Sequence, residues 1–135
     1  MFLLDTNVLS ELSKDRPERR VLTWLSSRVS SEVFVSAITL GEIERGIAKV
    51  RPRRPEFADN LTTWLGELIA DYGDRILPVD APIARRWGTL THRLGHGNAD
   101  VLISATALEH GLTIATRNIK HFEPTGAATF NPFAA

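Results

Sequence analysis

The chain has 135 residues, and this length predicts a single domain over residues 1–135 with its own hydrophobic core. Apolar residues make up 43% and charged residues 24%, and no leader peptide or spanning segment is evident, so we expect a globular cytoplasmic protein with no membrane association. Sixteen basic and 16 acidic residues cancel, and the absence of cysteine excludes disulfides, thiolate metal sites and a cysteine nucleophile.

The first predicted strand delivers a carboxylate to its C-terminal end. Met1–Leu4 is apolar and runs directly into Asp5, and Thr6-Asn7 then opens the short amphipathic helix Val8–Leu12. In open α/β sheets, sites form at this edge. The alternative is that Asp5 only caps the helix, because an aspartate before a helix often accepts backbone N–H groups.

The following elements alternate between helices and strands. Further strands are predicted at 32–36, 75–79 and 112–115, with a last short strand at 128–130. Helices are predicted after Pro17, at 39–50, 56–71, 80–94 and 99–109, followed by a turn containing Phe122 and a tail at 131–135. Residues from about 39 to 71 should form a helical hairpin broken by the prolines between Arg51 and Pro55.

This alternation predicts an α/β fold, a three-layer α/β/α sandwich with a mostly parallel central sheet. Parallel strands end at the same edge of a sheet. Asp5, Glu42 and Asn118 each follow a strand and should therefore lie near one another, and Asp100 at the start of the buried 99–109 helix could join them.

Each of these acids also has a purely structural interpretation. Thr39 and Glu42 fit a capping box, and Asp100 lies in a helix first turn, where the helix dipole favours a negative charge. Three carboxylates in one place repel each other, however, and capping does not require that arrangement. Convergent carboxylates without a cysteine or histidine partner suit a hard cation, Mg²⁺ or Mn²⁺. The four histidines share no metal-ligand spacing and are interpreted as surface or loop residues.

Several motifs together resemble one known family. They are Leu4–Asn7, Ser36–Glu42, Asn98–Ala107, Thr116–Asn118, Phe122–Gly126 and Asn131-Pro132. In this order they look like a PIN-domain ribonuclease of the VapC toxin type. The resemblance implies a PIN-like sandwich that cleaves RNA with Mg²⁺ or Mn²⁺, leaves 5′-phosphate and 3′-hydroxyl ends, forms a homodimer, and is neutralised by an antitoxin that occupies the active site.

The resemblance also implies roles for individual residues. Asp5 and Asp100 would be direct metal ligands, and Glu42 a ligand directly or through water. Thr6 and Thr116 would hold waters or orient the carboxylates. Arg117 is either a phosphate contact or an ordinary surface arginine.

One position departs from the family pattern. Many members carry an acid where this chain has Asn118, and an amide oxygen binds Mg²⁺ more weakly than a carboxylate, so one metal ion or two remains open. The helical hairpin is expected to form much of the dimer or antitoxin surface, through Trp64 or Leu68 if they are exposed.

Two other functions remain open. One is a PIN-like nuclease that acts in RNA processing or on DNA. The other is a catalytically silent binding module, in which the acids only cap helices and the hairpin binds a partner.

Overall fold

The computed structural model describes residues 1–134, and a five-stranded sheet with only parallel pairings forms its centre. The strands are β1 (Phe2–Leu4), β2 (Val33–Ser36), β3 (Ile76–Leu77), β4 (Thr113–Ala115) and β5 (Thr129–Phe130), in the order β3-β2-β1-β4-β5. The predicted α/β class and the parallel sheet are confirmed. The strand predicted at 75–79 is the shorter edge strand β3, which ends at Leu77, so Pro78 lies just after the strand.

Seven helices surround the sheet. They are α1 (Thr6–Leu12), α2 (Arg19–Ser26), α3 (Ala37–Val50), α4 (Pro55–Tyr72), α5 (Ala81–Leu94), α6 (Ala99–His110) and α7 (Ile119–Phe122). The segment around Phe122 was predicted as a turn, and this is wrong: it forms α7 and then a single 3₁₀ turn, Glu123–Thr125. Phe122 is fully buried, so packing against the sheet stabilises a helix too short to persist alone.

The two faces of the sheet carry separate apolar clusters. Leu4 points to the face that α1, α2, α3 and α4 cover, with partners that include Val35 and Ile43. Leu3 points to the opposite face, where it packs with Ile103 of α6 and Phe122 of α7. Successive side chains of a strand alternate between the two faces of the sheet, so an unbroken apolar run such as β1 has buried side chains on both faces. Helices cover each face, which produces the three layers.

The α5 helix forms an outer layer of the second face. Its buried residues Ile83 and Leu90 pack on Val101 and Ala105 of α6. This explains why α6 is apolar nearly all round, since it is covered by the sheet on one side and by α5 on the other. Within residues 1–134, no helix combines the length and the apolar character needed to cross a bilayer.

The order of the strands creates a topological switch point beside β1. The chain proceeds from β1 to β2 and β3 on one side, and β4 and β5 lie on the other. Leu4 is paired with Ala115, so the residues that follow these two strands, Asp5 and Thr116, face each other at the carboxyl edge of the sheet. Crevices at such points are where open α/β sheets bind ligands.

Candidate active site

Asp5 occupies the carboxyl end of β1 and is 5% exposed. Its backbone N–H donates to the carbonyl of Ala115 at 2.9 Å, which continues the ladder to β4. Its Oδ1 accepts the N–H of Thr6 at 2.8 Å, so Asp5 does cap α1. This bond uses only one of the carboxylate's acceptor positions, and capping therefore does not account for the whole side chain.

The second oxygen of Asp5 is held by two polar side chains. Thr116 donates its hydroxyl to Oδ2 at 2.9 Å, and Asn7 donates its amide at 3.2 Å. Thr116 is fully buried and accepts the N–H of Asn118 at 3.0 Å. These bonds fix the orientation of the Asp5 carboxylate between β1 and the segment that follows β4.

Glu42 lies in the second turn of α3 and is connected to the same edge through Thr6. The hydroxyl of Thr6 donates to Oε1 of Glu42 at 2.6 Å. The capping box predicted from Thr39 and Glu42 is wrong, because α3 begins at Ala37 and its cap is Ser36, whose Oγ accepts the N–H of Ile38 at 3.2 Å. Glu42 is therefore not needed as a cap and is available for another role.

Asp100 lies in the first turn of α6. The helix is capped by Asn98, whose Oδ1 accepts the N–H of Val101 at 3.2 Å, as the sequence predicts. The carboxylate of Asp100 lies 3.4 Å from Nδ1 of His121 in α7. Because Asn98 supplies the cap, the Asp100 carboxylate also has no capping duty.

Burial raises the pKa of Asp5 from 3.8 to about 6. The hydrogen bonds from Thr116 and Thr6 lower this pKa, and the charges of Asp100 and Glu42 raise it further. The structure therefore brings Glu42 and Asp100 close enough to Asp5 for their charges to disfavour its ionised form. Among residues 1–134, no Lys, Arg or His side chain lies within ion-pair distance of Asp5 or Glu42.

A divalent cation would supply the counter-charge that Asp5 lacks, because a buried carboxylate is costly unless it is paired or bound to a metal. Within the described part of the chain, no group of three or more His, Cys, Asp and Glu is close enough to hold a metal ion as it stands. Glu42 bonds to Thr6 and Asp100 lies beside His121, so both side chains would have to turn toward Asp5 for a cation to be bound.

The raised pKa of Asp5 predicts how the stability of the metal-free protein depends on pH. The folded state binds the Asp5 proton more tightly than the unfolded state does. The stability gained from this proton is therefore fully present below the unfolded pKa of 3.8 and is lost as the pH rises through about 6. Lowering the pH from about 7 to about 5 should therefore add about 1 kcal/mol to the free energy of unfolding. The Asp5→Asn protein has no carboxyl group to titrate at this position. The free energy of unfolding of both proteins, measured in urea melts across this pH range, should therefore differ by the contribution of Asp5. Parallel pH profiles would contradict the assignment.

The structure places Arg117 and Asn118 at the edge of the crevice. The N–H of Arg117 donates to Oδ1 of Asn7 at 3.2 Å, while its guanidinium lies 3.9 Å from the ring centre of Phe133 and 3.8 Å from the carboxylate of Glu11. A phosphate contact would require the guanidinium to leave these partners. Asn118 is exposed and begins α7 without a hydrogen bond from its side chain to the helix.

Sequence reasoning assigned no role to three residues of this region. Asn7 bridges Asp5, Thr116 and Arg117 through hydrogen bonds. Its position two residues after Asp5 indicates that it lies near the same edge of the sheet. Glu11 is buried and accepts the N–H of Glu18 at 2.8 Å. His121 is exposed, as expected, yet it lies beside Asp100 only because α7 forms, so no spacing along the chain could have indicated this contact.

Comparison with known proteins gives consistent matches over nearly the whole chain. The family model of the PIN domain matches residues 2–126. The VapC ribonuclease Y4jK of Sinorhizobium fredii is 37% identical over 140 residues, covering 98% of each chain. The toxin FitB of Neisseria gonorrhoeae is 37% identical over 140 residues, covering 98% of this chain and 99% of that relative.

Solved structures give the same result. The crystal structure of FitAcB from Neisseria gonorrhoeae superposes with a TM-score of 0.87 at 35% identity, covering 100% of both chains. The structure of FitAB bound to an IR36 DNA fragment superposes with a TM-score of 0.73 at 34% identity, covering 98% of this chain and 96% of that one. Asp5, Glu42 and Asp100 all lie within the matched stretches.

Proposed function

The chain belongs to the PIN-domain family, and we propose that it is a metal-dependent endoribonuclease toxin that a cognate antitoxin neutralises. The observation that carries the proposal is the buried, uncompensated carboxylate of Asp5 at the switch point of the sheet, with Glu42 and Asp100 near enough to raise its pKa. If Asp5, Glu42 and Asp100 only capped helices, they would not need to lie near one another. Ligands of one cation must lie in the same crevice.

In this proposal Asp5 and Asp100 bind Mg²⁺ or Mn²⁺ directly, and Glu42 binds it directly or through water. The cation would lower the pKa of an attacking water and neutralise charge on the phosphoryl oxygens. Thr6 orients Glu42 through its 2.6 Å hydrogen bond, and Thr116 orients Asp5 through its 2.9 Å bond. Asn118, at the same edge, supplies an amide rather than a further carboxylate, which favours one cation over two.

RNA is the proposed substrate because one relative with 37% identity is named a VapC ribonuclease. Attack by water on the phosphorus, with the 3′-oxygen as leaving group, leaves a 5′-phosphate and a 3′-hydroxyl. The 2′-hydroxyl takes no part in this reaction, so the preference for RNA must come from binding.

The proposed protein partners are an antitoxin and a second copy of this chain. The relative FitB is named a toxin, and its solved structure is the FitAB complex bound to DNA. The surface predicted from Trp64 and Leu68 needs correction, because Leu68 is only 7% exposed and Trp64 is partly buried against the core. Among the large apolar side chains described on the α3–α4 pair, Phe57 and Ile69 are exposed, and we propose that these take part in the contact.

A cleavage assay on matched single-stranded RNA and DNA tests the proposed activity. We expect cleavage of RNA with 5′-phosphate products, loss of activity with a chelator, and recovery when Mg²⁺ or Mn²⁺ is added. Cleavage of DNA but not of RNA would mean that DNA, and not RNA, is the substrate. Activity that resists the chelator would rule out the metal mechanism, and no cleavage of either polymer by folded protein would favour the silent binding module.

A further inference from the structure

A cleft of about 300 Å³ lies directly beside Glu42. It is bounded by α3 on one side and by α5, the loop that ends at Asn98, and α6 on the other. We propose that this cleft binds one unpaired nucleotide of the substrate RNA, adjacent to the bond that is cleaved. The inference rests on the proposed function and adds where and how the substrate is recognised.

The walls of the cleft suit the flat face of a nucleobase. Ile38, Trp87 and Leu102 supply apolar surface from three different helices. Binding pockets for small flat ligands combine such walls with a few polar groups, and unpaired bases are bound by stacking on apolar and aromatic side chains. The faces of a base in a duplex are covered by its stacked neighbours, so walls of this kind favour single-stranded RNA.

Two polar residues at the rim match the rest of a nucleotide. Arg45 lies one turn after Glu42 on α3 and is exposed, and within residues 1–134 it has no acidic side chain at ion-pair distance. It is therefore available for a backbone phosphate. Asn98 uses its Oδ1 to cap α6, which leaves its amide group to donate to an acceptor on the edge of the base.

The shape of the cleft depends on a close approach at Gly97. A Cβ atom at this position would lie 2.9 Å from Cζ2 of Trp87 and 3.2 Å from the side chain of Thr91. Only glycine therefore allows the loop to pack against the indole ring and hold it as a wall. This contact pre-forms the cleft rather than leaving it to be created by the ligand.

The position and charge of the cleft favour RNA over a peptide as the occupant. Glu42 belongs to both the cleft and the proposed metal site, so a nucleotide in the cleft continues directly into the scissile phosphate. Lys49 lies one further turn along α3 from Arg45 and is also exposed, which extends the basic side of the helix along a path for the next phosphates.

Two glycines of α3 provide a matched pair of variants. A side chain at Gly41 would enter the cleft, and a Cβ there meets no atom within 4 Å. Gly46 is in the same helix, is equally open and lies outside the cleft. Leucine at either position should stabilise the helix, since it replaces glycine in a helix interior.

The test uses the full chain carrying Asp5→Asn, so that RNA is bound without being cut, and a short fluorescein-labelled single-stranded RNA as the probe. Adding Gly41→Leu should weaken binding about tenfold or more, whereas Gly46→Leu should leave the dissociation constant unchanged. An RNA of the same length with abasic sites should bind the parent as weakly as it binds the Gly41→Leu protein.

The outcomes separate this inference from the proposed function. Equal binding by the Gly41→Leu and Gly46→Leu proteins, or equal binding of abasic and normal RNA, overturns the nucleotide site even if the wild type cleaves RNA. Weaker binding by Gly41→Leu alone supports the site even if the wild type proves unable to cleave. Absence of RNA binding by the Asp5→Asn protein overturns the nucleotide site, whereas absence of RNA cleavage by the folded wild type overturns the proposed function.

Discussion

Asp5→Asn should abolish RNA cleavage while leaving the fold intact. The amide keeps an oxygen to accept the N–H of Thr6 but removes the negative charge that would hold the cation. Replacing groups that only orient a metal ligand costs about 10–100-fold, so loss of a direct ligand should cost more than about a hundredfold in kcat/KM. The measurement is the rate of cleavage of a labelled single-stranded RNA at saturating Mg²⁺.

Asp80→Asn is the matched control for this substitution. Asp80 also follows a strand and caps a helix, since its Oδ1 accepts the N–H of Ile83 at 3.1 Å, but it is exposed at the start of α5. Asparagine caps about as well as aspartate, so this variant should retain activity and stability. If Asp5→Asn kept activity similar to that of Asp80→Asn, Asp5 would be a cap and not a ligand.

Stability separates a lost charge from a damaged fold. Asp5→Asn removes a buried carboxylate whose pKa burial has raised, so the metal-free variant should be at least as stable as the wild type at neutral pH. A variant that is inactive because it is unfolded would fail this check in circular dichroism. The combination of full stability and no cleavage is what the metal role requires.

Most of the fold could be predicted from local patterns. The apolar run before Asp5 indicates β1. Gly111, which has a φ of 65°, indicates where α6 ends. The short helix α7 could not be predicted, because its four residues carry no helical period and only the burial of Phe122 explains it. Packing, and not propensity, decided that segment.

The site was less accessible to sequence reasoning than the fold. Asp5 could be placed at the sheet edge because it directly follows a strand. Thr39 and Glu42 also fitted a capping box, but Thr39 lies inside α3, two residues after the true start of the helix at Ala37. The contact between His121 and Asp100 depends on the tertiary structure alone.

Asp100→Asn tests whether the three acids are energetically coupled. In the metal-free protein the charge of Asp100 raises the pKa of Asp5, which is a sign of repulsion. Removing that charge should raise the melting temperature without metal, because it relieves the repulsion of Asp5, and the 3.4 Å contact that Asp100 makes with the exposed side chain of His121 contributes little. The cap of α6 is not affected, since Asn98 provides it.

The decisive measurement is a set of thermal melts of wild type, Asp100→Asn and the control Asp80→Asn, each with and without Mg²⁺. Wild type and control should gain about 1.4 kcal/mol at ten times the dissociation constant, or about 4 °C, whereas Asp100→Asn should start higher and gain almost nothing. If Asp100→Asn were less stable than the wild type without metal and equally stabilised by Mg²⁺, the three acids would not form one cation site.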